Sequence, residues 1–302
     1  MTKSLRDMNQ DNSIIATLIR WANSQDLIRA VILTSSRAIP HASLDLFSDY
    51  DVILATRSVQ PFYTDRTWLE TFGPVLALYR DPMIPENGLE RSAYVVQYEN
   101  GLKIDFNLWP VELLQRVAES AQLPAEFDAG YKVILDKDAL TTGLKAPTYS
   151  AYIPTPPAEA HYLALIEGFF LDTTYVAKYL WRDDLMAAKY ILDHSLKHDH
   201  LLPMLEWHSE IAHQWSLKPG PYGRRLKRHL QPDLWSELES IYVGPGREEN
   251  WQALFRTITL MRRTARDIAN SLGFPYPDNL DQRVVSYLMK VRQLAPNAET
   301  FS

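Results

Sequence analysis

The sequence predicts an α+β protein of two domains: a mixed β-sheet domain with flanking helices over residues 1–150, then an all-helical domain over 151–302. Three observations carry this. The first half alternates segments of helical and strand period, and the second half is almost wholly of helical period. Between them, Thr148 to Pro157 holds three prolines and no period of either kind, which marks a linker.

Taken in order, Ile14, Ile15, Leu18, Ile19 and Trp21 recur at helical spacing, so an opening helix is expected over about 10–27. A buried strand, Ala30 to Leu33, runs into the hydroxyl-rich turn Thr34-Ser35-Ser36-Arg37, and a second strand is expected over Phe47 to Ile53. Thr64 is placed to cap a helix containing Trp68, Leu69 and Phe72, which Gly73-Pro74 stops. Val75–Tyr79, Ser92–Tyr98 and Leu102–Trp109 read as strands, the last two joined by Glu99-Asn100-Gly101. Asn-Gly there is a hairpin signal, because the turn needs residues that tolerate positive φ. A helix over 111–120 and a strand over 131–135 finish the sheet domain. Beyond the linker, helices are expected at about 158–181, 183–198, 201–217, 232–242, 248–271 and 279–293, punctuated by Pro203, Pro219-Gly220-Pro221, Pro232 and Gly244-Pro245-Gly246.

Composition narrows the function classes. A chain of 302 residues with 46% hydrophobic content buries a large core. It has no cysteine, which excludes disulfides and cysteine-based metal or nucleophile chemistry. A formal net charge of −6 argues against broad nucleic-acid binding and favours a cationic small molecule. The start of the chain lacks a signal-peptide apolar run, and no segment approaches 18 uninterrupted apolar residues, so a soluble, cytoplasmic protein without membrane association is expected, as a monomer or homodimer.

The chemistry centres on three aspartates among apolar neighbours: Asp49 and Asp51 in Phe47-Ser48-Asp49-Tyr50-Asp51-Val52-Ile53, and Asp105 in Leu102-Lys103-Ile104-Asp105-Phe106-Asn107-Leu108. In a strand, residues i and i+2 share a face, so Asp49 and Asp51 project together while Tyr50 and Val52 face the other way. At roughly 5 Å and an effective dielectric near 20, their repulsion is ~3 kcal/mol. A divalent cation offsets it. Mg²⁺ prefers one or two carboxylates plus substrate phosphates, and a third carboxylate from a neighbouring strand completes the centre or acts as general base. The Ser35-Ser36 turn upstream offers backbone N–H and hydroxyl groups to phosphates.

The order of strand, Ser-Ser turn, Asp-x-Asp strand and a later single Asp on another strand resembles the nucleotidyltransferase superfamily of the DNA polymerase β type. Within it, Val31-Ile32-Leu33-Thr34-Ser35-Ser36-Arg37, Asp49-Tyr50-Asp51, Lys103-Ile104-Asp105 and Tyr175-Val176-Ala177-Lys178-Tyr179-Leu180-Trp181-Arg182 look like the aminoglycoside 6-adenylyltransferase (streptomycin adenylyltransferase) family, over most of the chain.

The resemblance implies a nucleotidyltransferase-type sheet domain and a helical substrate-binding domain with the active site between them. It further implies Mg²⁺ on Asp49 and Asp51, with Asp105 as a third ligand or as base. Ser35, Ser36, Arg37 and Lys178 would contact ATP, the co-substrate, and Trp181, Asp183 and Asp184 the aminoglycoside. The product would be an O-adenylyl antibiotic, the chemistry of antibiotic resistance. Another small hydroxyl acceptor, or a catalytically weak nucleotide-binding protein of the same fold, are the alternatives. One departure motivates the second: the family's turn usually has Gly before Ser-Arg, and this chain has Ser35. A serine held at positive φ costs about 1 kcal/mol or more.

Other constellations have plainer readings. Tyr175, Tyr179 and Trp181 suit core packing at helical spacing, and Lys178 suits an ordinary solvated helix residue, although Thr174 and Arg182 offer it no carboxylate at i−4 or i+4. His194 and His198 have the i, i+4 spacing of a zinc pair but lack the adjacent Glu. The segment Lys218 to Arg225 lacks the Gly-Lys-Ser/Thr ending of a P-loop and reads as an interhelical turn, and Arg224 to His229 as the solvated face of a helix.

Overall fold

The computed structural model describes residues 5–301 apart from 41, 43 and 87. It divides into two compact units, Met1–Tyr152 and Ile153–Ser302.

The first unit is a mixed sheet with helices on both faces. Helix α1 (Leu5–Ser24) leads to β1 (Ile28–Thr34), a 3₁₀ turn at Ser35–Arg37 and β2 (Tyr50–Thr56). After α2 (Gln60–Thr64) and a 3₁₀ segment at Thr67–Phe72 come β3 (Val75–Arg80), β4 (Ile84–Glu86), β5 (Leu89–Tyr98) and β6 (Lys103–Pro110). Helices α3 (Val111–Glu119) and α4 (Ala125–Asp128) precede β7 (Tyr131–Asp136). The strand order is β3-β5-β6-β2-β1-β7, with β4 on β5. Among the described residues, only the β2–β6 pair is parallel.

Both faces of the central strands are covered, which is why their sequences are nearly continuously apolar. One face places Val31, Leu33, Tyr50, Val52, Leu54, Ile104, Phe106 and Leu108 against Leu18, Trp21 and Ala22 of α1 and against Phe62, Leu69 and Phe72. The other packs Ala30, Ile32, Ile53, Ala55 and Trp109 on Leu113, Leu114 and Val117 of α3. Strand parity puts Asp51 and Asp105 on this second face.

Two local expectations are corrected. The strand expected from Phe47 starts at Tyr50, because Asp45 folds the preceding residues into a turn, its Oδ1 accepting from the Phe47 N–H at 3.0 Å and the Ser48 hydroxyl at 3.1 Å. Thr64 ends α2 rather than capping a helix. Asp65 opens the 3₁₀ segment instead, its Oδ1 accepting from both the Thr67 N–H and the Thr67 hydroxyl. Gly73, at φ 136°, stops that segment. Strand β4 and helix α4 are too short to carry a sequence period.

The Asn-Gly hairpin forms between β5 and β6. Gly101 takes φ 85°, Asn100 Oδ1 accepts from the Leu102 N–H, and the Tyr98 N–H donates to the Leu102 carbonyl at 2.8 Å.

The second unit is helical: α5 (Glu159–Trp181), α6 (Leu185–Tyr190), α7 (Leu202–Ala212), α8 (Pro232–Ser240), α9 (Arg247–Leu272) and α10 (Asp278–Gln293). Its core includes Tyr162, Ile166, Phe169 and Phe170 of α5 with Leu254, Ile258, Met261 and Ala265 of α9. Arg262 clamps Asp281 through two bonds of 2.6 and 2.7 Å, fixing α10 on α9.

The helix expected over 183–198 is instead α6 continued by a π-helix over Ile191–Leu201. Inside it the Lys197 ammonium is buried, donating to Asp193 and to the Ile241 carbonyl at 2.8 Å. The helix expected to 217 ends at Ala212, and the basic stretch Arg224–His229 is a loop with one 3₁₀ turn rather than a helix face. No helix among the described residues is long and apolar enough to cross a membrane.

Candidate active site

Backbone register builds the site. In the parallel β2–β6 pair, Asp51 lies directly opposite Asp105, and in the antiparallel β1–β2 pair it lies opposite Thr34. The Ser35–Arg37 turn therefore opens beside Asp51. Asp49, immediately before β2, completes the group, and the hairpin places Lys103 at the first position of β6, two residues from Asp105 on the same face.

Two of the three carboxylates, Asp49 and Asp105, are drawn onto one cation. Lys103 Nζ donates to Asp49 Oδ2 at 2.7 Å and to Asp105 Oδ2 at 2.9 Å. Asp51 pairs with the Ser35 hydroxyl. Burial, with Asp105 and Asp49 nearby, pushes the Asp51 carboxyl up to about 6, against the opposing pull of Ser35 and Lys103. Burial likewise raises Asp105, partly offset by Lys103. The Lys103 ammonium is held above its usual range because its two carboxylates outweigh its own burial.

Ser35 adopts φ 56°, the left-handed conformation that a glycine would take without strain. Its hydroxyl lies near enough to Asp51 to lower that carboxyl's proton affinity, so the side chain that strains the turn also acts on the carboxylate cluster.

Ser36 lies half-buried in the same turn. The Arg37 guanidinium is largely engaged at home: its Nε donates to the Asp49 carbonyl at 2.9 Å, an Nη to the Ser48 carbonyl at 2.6 Å, and its plane stacks 3.6 Å from the Tyr50 ring centroid. It braces the segment that carries Asp49.

The residues expected from the second unit are placed as follows. Lys178 lies 4.7 Å from the ring centroids of both Tyr175 and Tyr179 on α5. Trp181 packs at the edge of the helical core and donates its indole N–H to the Ala295 carbonyl. Asp183 and Asp184 are exposed. Asp183 takes φ 62° and ends α5: its N–H donates to the Leu180 carbonyl and the Asp184 N–H to the Tyr179 carbonyl, the paired bonds of a Schellman motif. Of the zinc-spaced histidines, His194 and His198 have ring centroids 6.2 Å apart, and His194 turns its Nδ1 to Asp199.

Lys103 is the participant that sequence reasoning passed over. Its signal was present, since i−2 spacing on a strand places it on the face of Asp105.

A divalent cation suits these residues. Asp105 Oδ1 is buried and has no hydrogen-bond partner, an acceptor left over after Lys103 has used the other oxygen. Three carboxylates converge where one ammonium supplies the only close positive charge that the described side chains bring to both Asp49 and Asp105. All the donors are oxygens, the ligand type of Mg²⁺. As the side chains stand, with Lys103 between them, no three of the described His, Asp or Glu groups are arranged to hold a metal.

Comparison with known proteins settles the family. The streptomycin adenylyltransferase family model matches residues 8–291. The chain belongs to the streptomycin adenylyltransferase family. It is thereby an enzyme of the nucleotidyltransferase class. Among its relatives, aminoglycoside 6-adenylyltransferase of Bacillus subtilis (strain 168) is 28% identical over 286 residues, covering 93% of this chain and 97% of the relative. The Campylobacter jejuni protein of the same name is 25% identical over 290 residues, 95% of this chain and 97% of its own length. The Staphylococcus aureus protein is 21% identical, covering 93% and 98%. A crystal structure of an aminoglycoside 6-adenyltransferase from Bacillus subtilis aligns over 93% of this chain and 98% of that one, at 26% identity and a TM-score of 0.46.

Proposed function

We propose that this member of the family transfers AMP from ATP, with a divalent cation, to a hydroxyl of streptomycin or a related aminoglycoside. The observation that carries the reading is the β2–β6 register, which sets Asp51 opposite Asp105 beside the Ser35 turn, with Asp49 joined to Asp105 through one ammonium. Family membership supports the adenylyl donor, and the relatives' names support the aminoglycoside.

Asp49 and Asp51, with Asp105, would hold Mg²⁺, which when bound supplies positive charge against the triphosphate. Asp105 takes the proton from the attacking hydroxyl. Burial raises its proton affinity, which suits a base better than an ordinary surface aspartate. The hydroxyl oxygen bonds to the α-phosphorus, the bond from that phosphorus to the bridging oxygen breaks, and pyrophosphate leaves with the electron pair.

The Ser35-Ser36 turn offers N–H and hydroxyl groups to the phosphates, and Arg37 keeps the Asp49 segment in place for them. Residues 1–150 thus form the catalytic domain and 151–302 the substrate-binding domain. Lys178 is assigned to the triphosphate, and Trp181, Asp183 and Asp184 to the acceptor, where carboxylates pair with guanidinium or ammonium groups.

Mass spectrometry of streptomycin and other aminoglycosides incubated with protein, ATP and Mg²⁺ tests this. An adenylyl adduct on streptomycin or a related aminoglycoside is expected. Conversion of none of them, with ATP still bound, would move the reading to a different hydroxyl acceptor.

A further inference from the structure

Lys103 has no part in the transfer as derived above, yet its ammonium occupies the centre of the carboxylate group. Its two hydrogen bonds, 2.7 and 2.9 Å, end on one oxygen each of Asp49 and Asp105, two of the three aspartates assigned to the metal. A divalent cation that binds Asp49 and Asp105 needs those carboxylates at oxygen distances of about 2.0–2.1 Å. An ammonium in hydrogen-bond contact with the same carboxylates competes with it, both for the lone pairs and through direct charge repulsion.

We infer that Lys103 is the resident cation of the metal-free site: its ammonium bridges Asp49 and Asp105, holds the like-charged carboxylates together, and is displaced when a divalent cation binds. The inference rests on the reading of the three aspartates as metal ligands.

Its geometry suits displacement. Lys103 opens β6 directly after the hairpin, and its side chain is 28% exposed, so the flexible stem can leave without moving the strand. It also satisfies the cluster incompletely. Asp105 Oδ1 stays without a partner, so the bridge holds the site assembled but leaves an acceptor for an ion of higher charge.

The test is calorimetric titration of Mn²⁺ alone into metal-stripped wild type, Lys103→Met and Lys103→Arg, with thermal melts in chelator and in Mn²⁺. Removing the charge should tighten Mn²⁺ binding by about tenfold or more, the equivalent of two modest ion pairs that no longer have to break. Lys103→Met should melt lower than wild type in chelator and recover in Mn²⁺, and Lys103→Arg should bind Mn²⁺ as weakly as wild type or more so. Lys103→Gln keeps an N–H donor without the charge, so it serves if the methionine variant does not fold without metal. Wild type that binds Mn²⁺ while the neutral variants bind no tighter, or more weakly, overturns the displaced-cation role. If neither wild type nor any variant binds Mn²⁺, the ligand assignment itself fails and the proposal falls with it.

Discussion

Two regions of the molecule hold carboxylates that resist ionisation, and they differ in everything but that. On the sheet, burial beside Asp105 and Asp49 lifts Asp51 to about 6. On α7, burial beside Glu210 lifts Glu206 to about 7. In the first region the neighbours converge: Asp51 faces Asp105 across paired strands, one ammonium joins Asp49 and Asp105, and a buried oxygen of Asp105 has nothing to bond. In the second they are used up by the fold. Glu210 accepts from the Leu217 N–H, closing the loop after α7, and the space against Glu206, Ser209 and Glu210 is about 20 Å³, no larger than one water. A perturbed carboxylate marks a buried group, and only convergent geometry with spare acceptors marks a site.

The largest effect is expected from Asp51→Asn. Partners of metal ligands already cost about 10–100-fold when removed, so loss of a ligand should lower adenylyl transfer by about 100-fold or more. Since the substitution also removes like-charge repulsion, the melting temperature in chelator should hold or rise. Near-normal turnover would erase the distinction between the regions.

Glu206→Gln should leave turnover unchanged and alter stability with pH. Because the folded-state affinity of Glu206 for its proton is raised, its contribution to stability is fully present below pH 4.5, the group's ordinary value, and is lost as pH rises through about 7. The glutamine variant carries no such dependence. Thermal melts from pH 4 to pH 8 should therefore show wild type losing ground to the variant as pH rises, and an inactive but folded variant would make the helical region a site as well.

A smaller effect sharpens the sheet side. At φ 56°, Ser35→Ala keeps the backbone strain and loses the bond to Asp51, whereas Ser35→Gly loses both. The glycine variant should be the more stable of the two by about 1 kcal/mol in denaturant unfolding. Equal stabilities would show that the turn is not strained.

What the sequence showed of this region, and what it hid, follows from the range of the interactions. The Asn100-Gly101 hairpin, the helical stripes of α1 and the two-residue spacing of Asp49 and Asp51 are local, and they are legible as patterns. The facing of Asp51 and Asp105 depends on which strands pair in parallel across more than fifty residues, a choice that the carboxylate chemistry suggests but no local pattern states. Like charges among apolar neighbours picked out the aspartates and resemblance to the family gave them roles; the structure added their register. The resemblance assigned Arg37 to ATP, and its bonds to the Ser48 and Asp49 carbonyls were hidden because they come from a loop with no period. The resemblance assigned Asp183 to the acceptor; that it also ends α5 in the left-handed conformation was hidden, because no glycine marks that helix end. The π-helix over Ile191–Leu201 has an α-like apolar pattern, so only the structure separates the two.

Anomalous diffraction from crystals grown with Mn²⁺ and a non-hydrolysable ATP analogue tests the central claim most directly. A manganese peak is expected, bounded by Asp49, Asp51 and Asp105, with Lys103 moved off both carboxylates and no peak at Glu206 or Glu210. Manganese elsewhere, or a saturated crystal in which Lys103 still bridges Asp49 and Asp105, would contradict it.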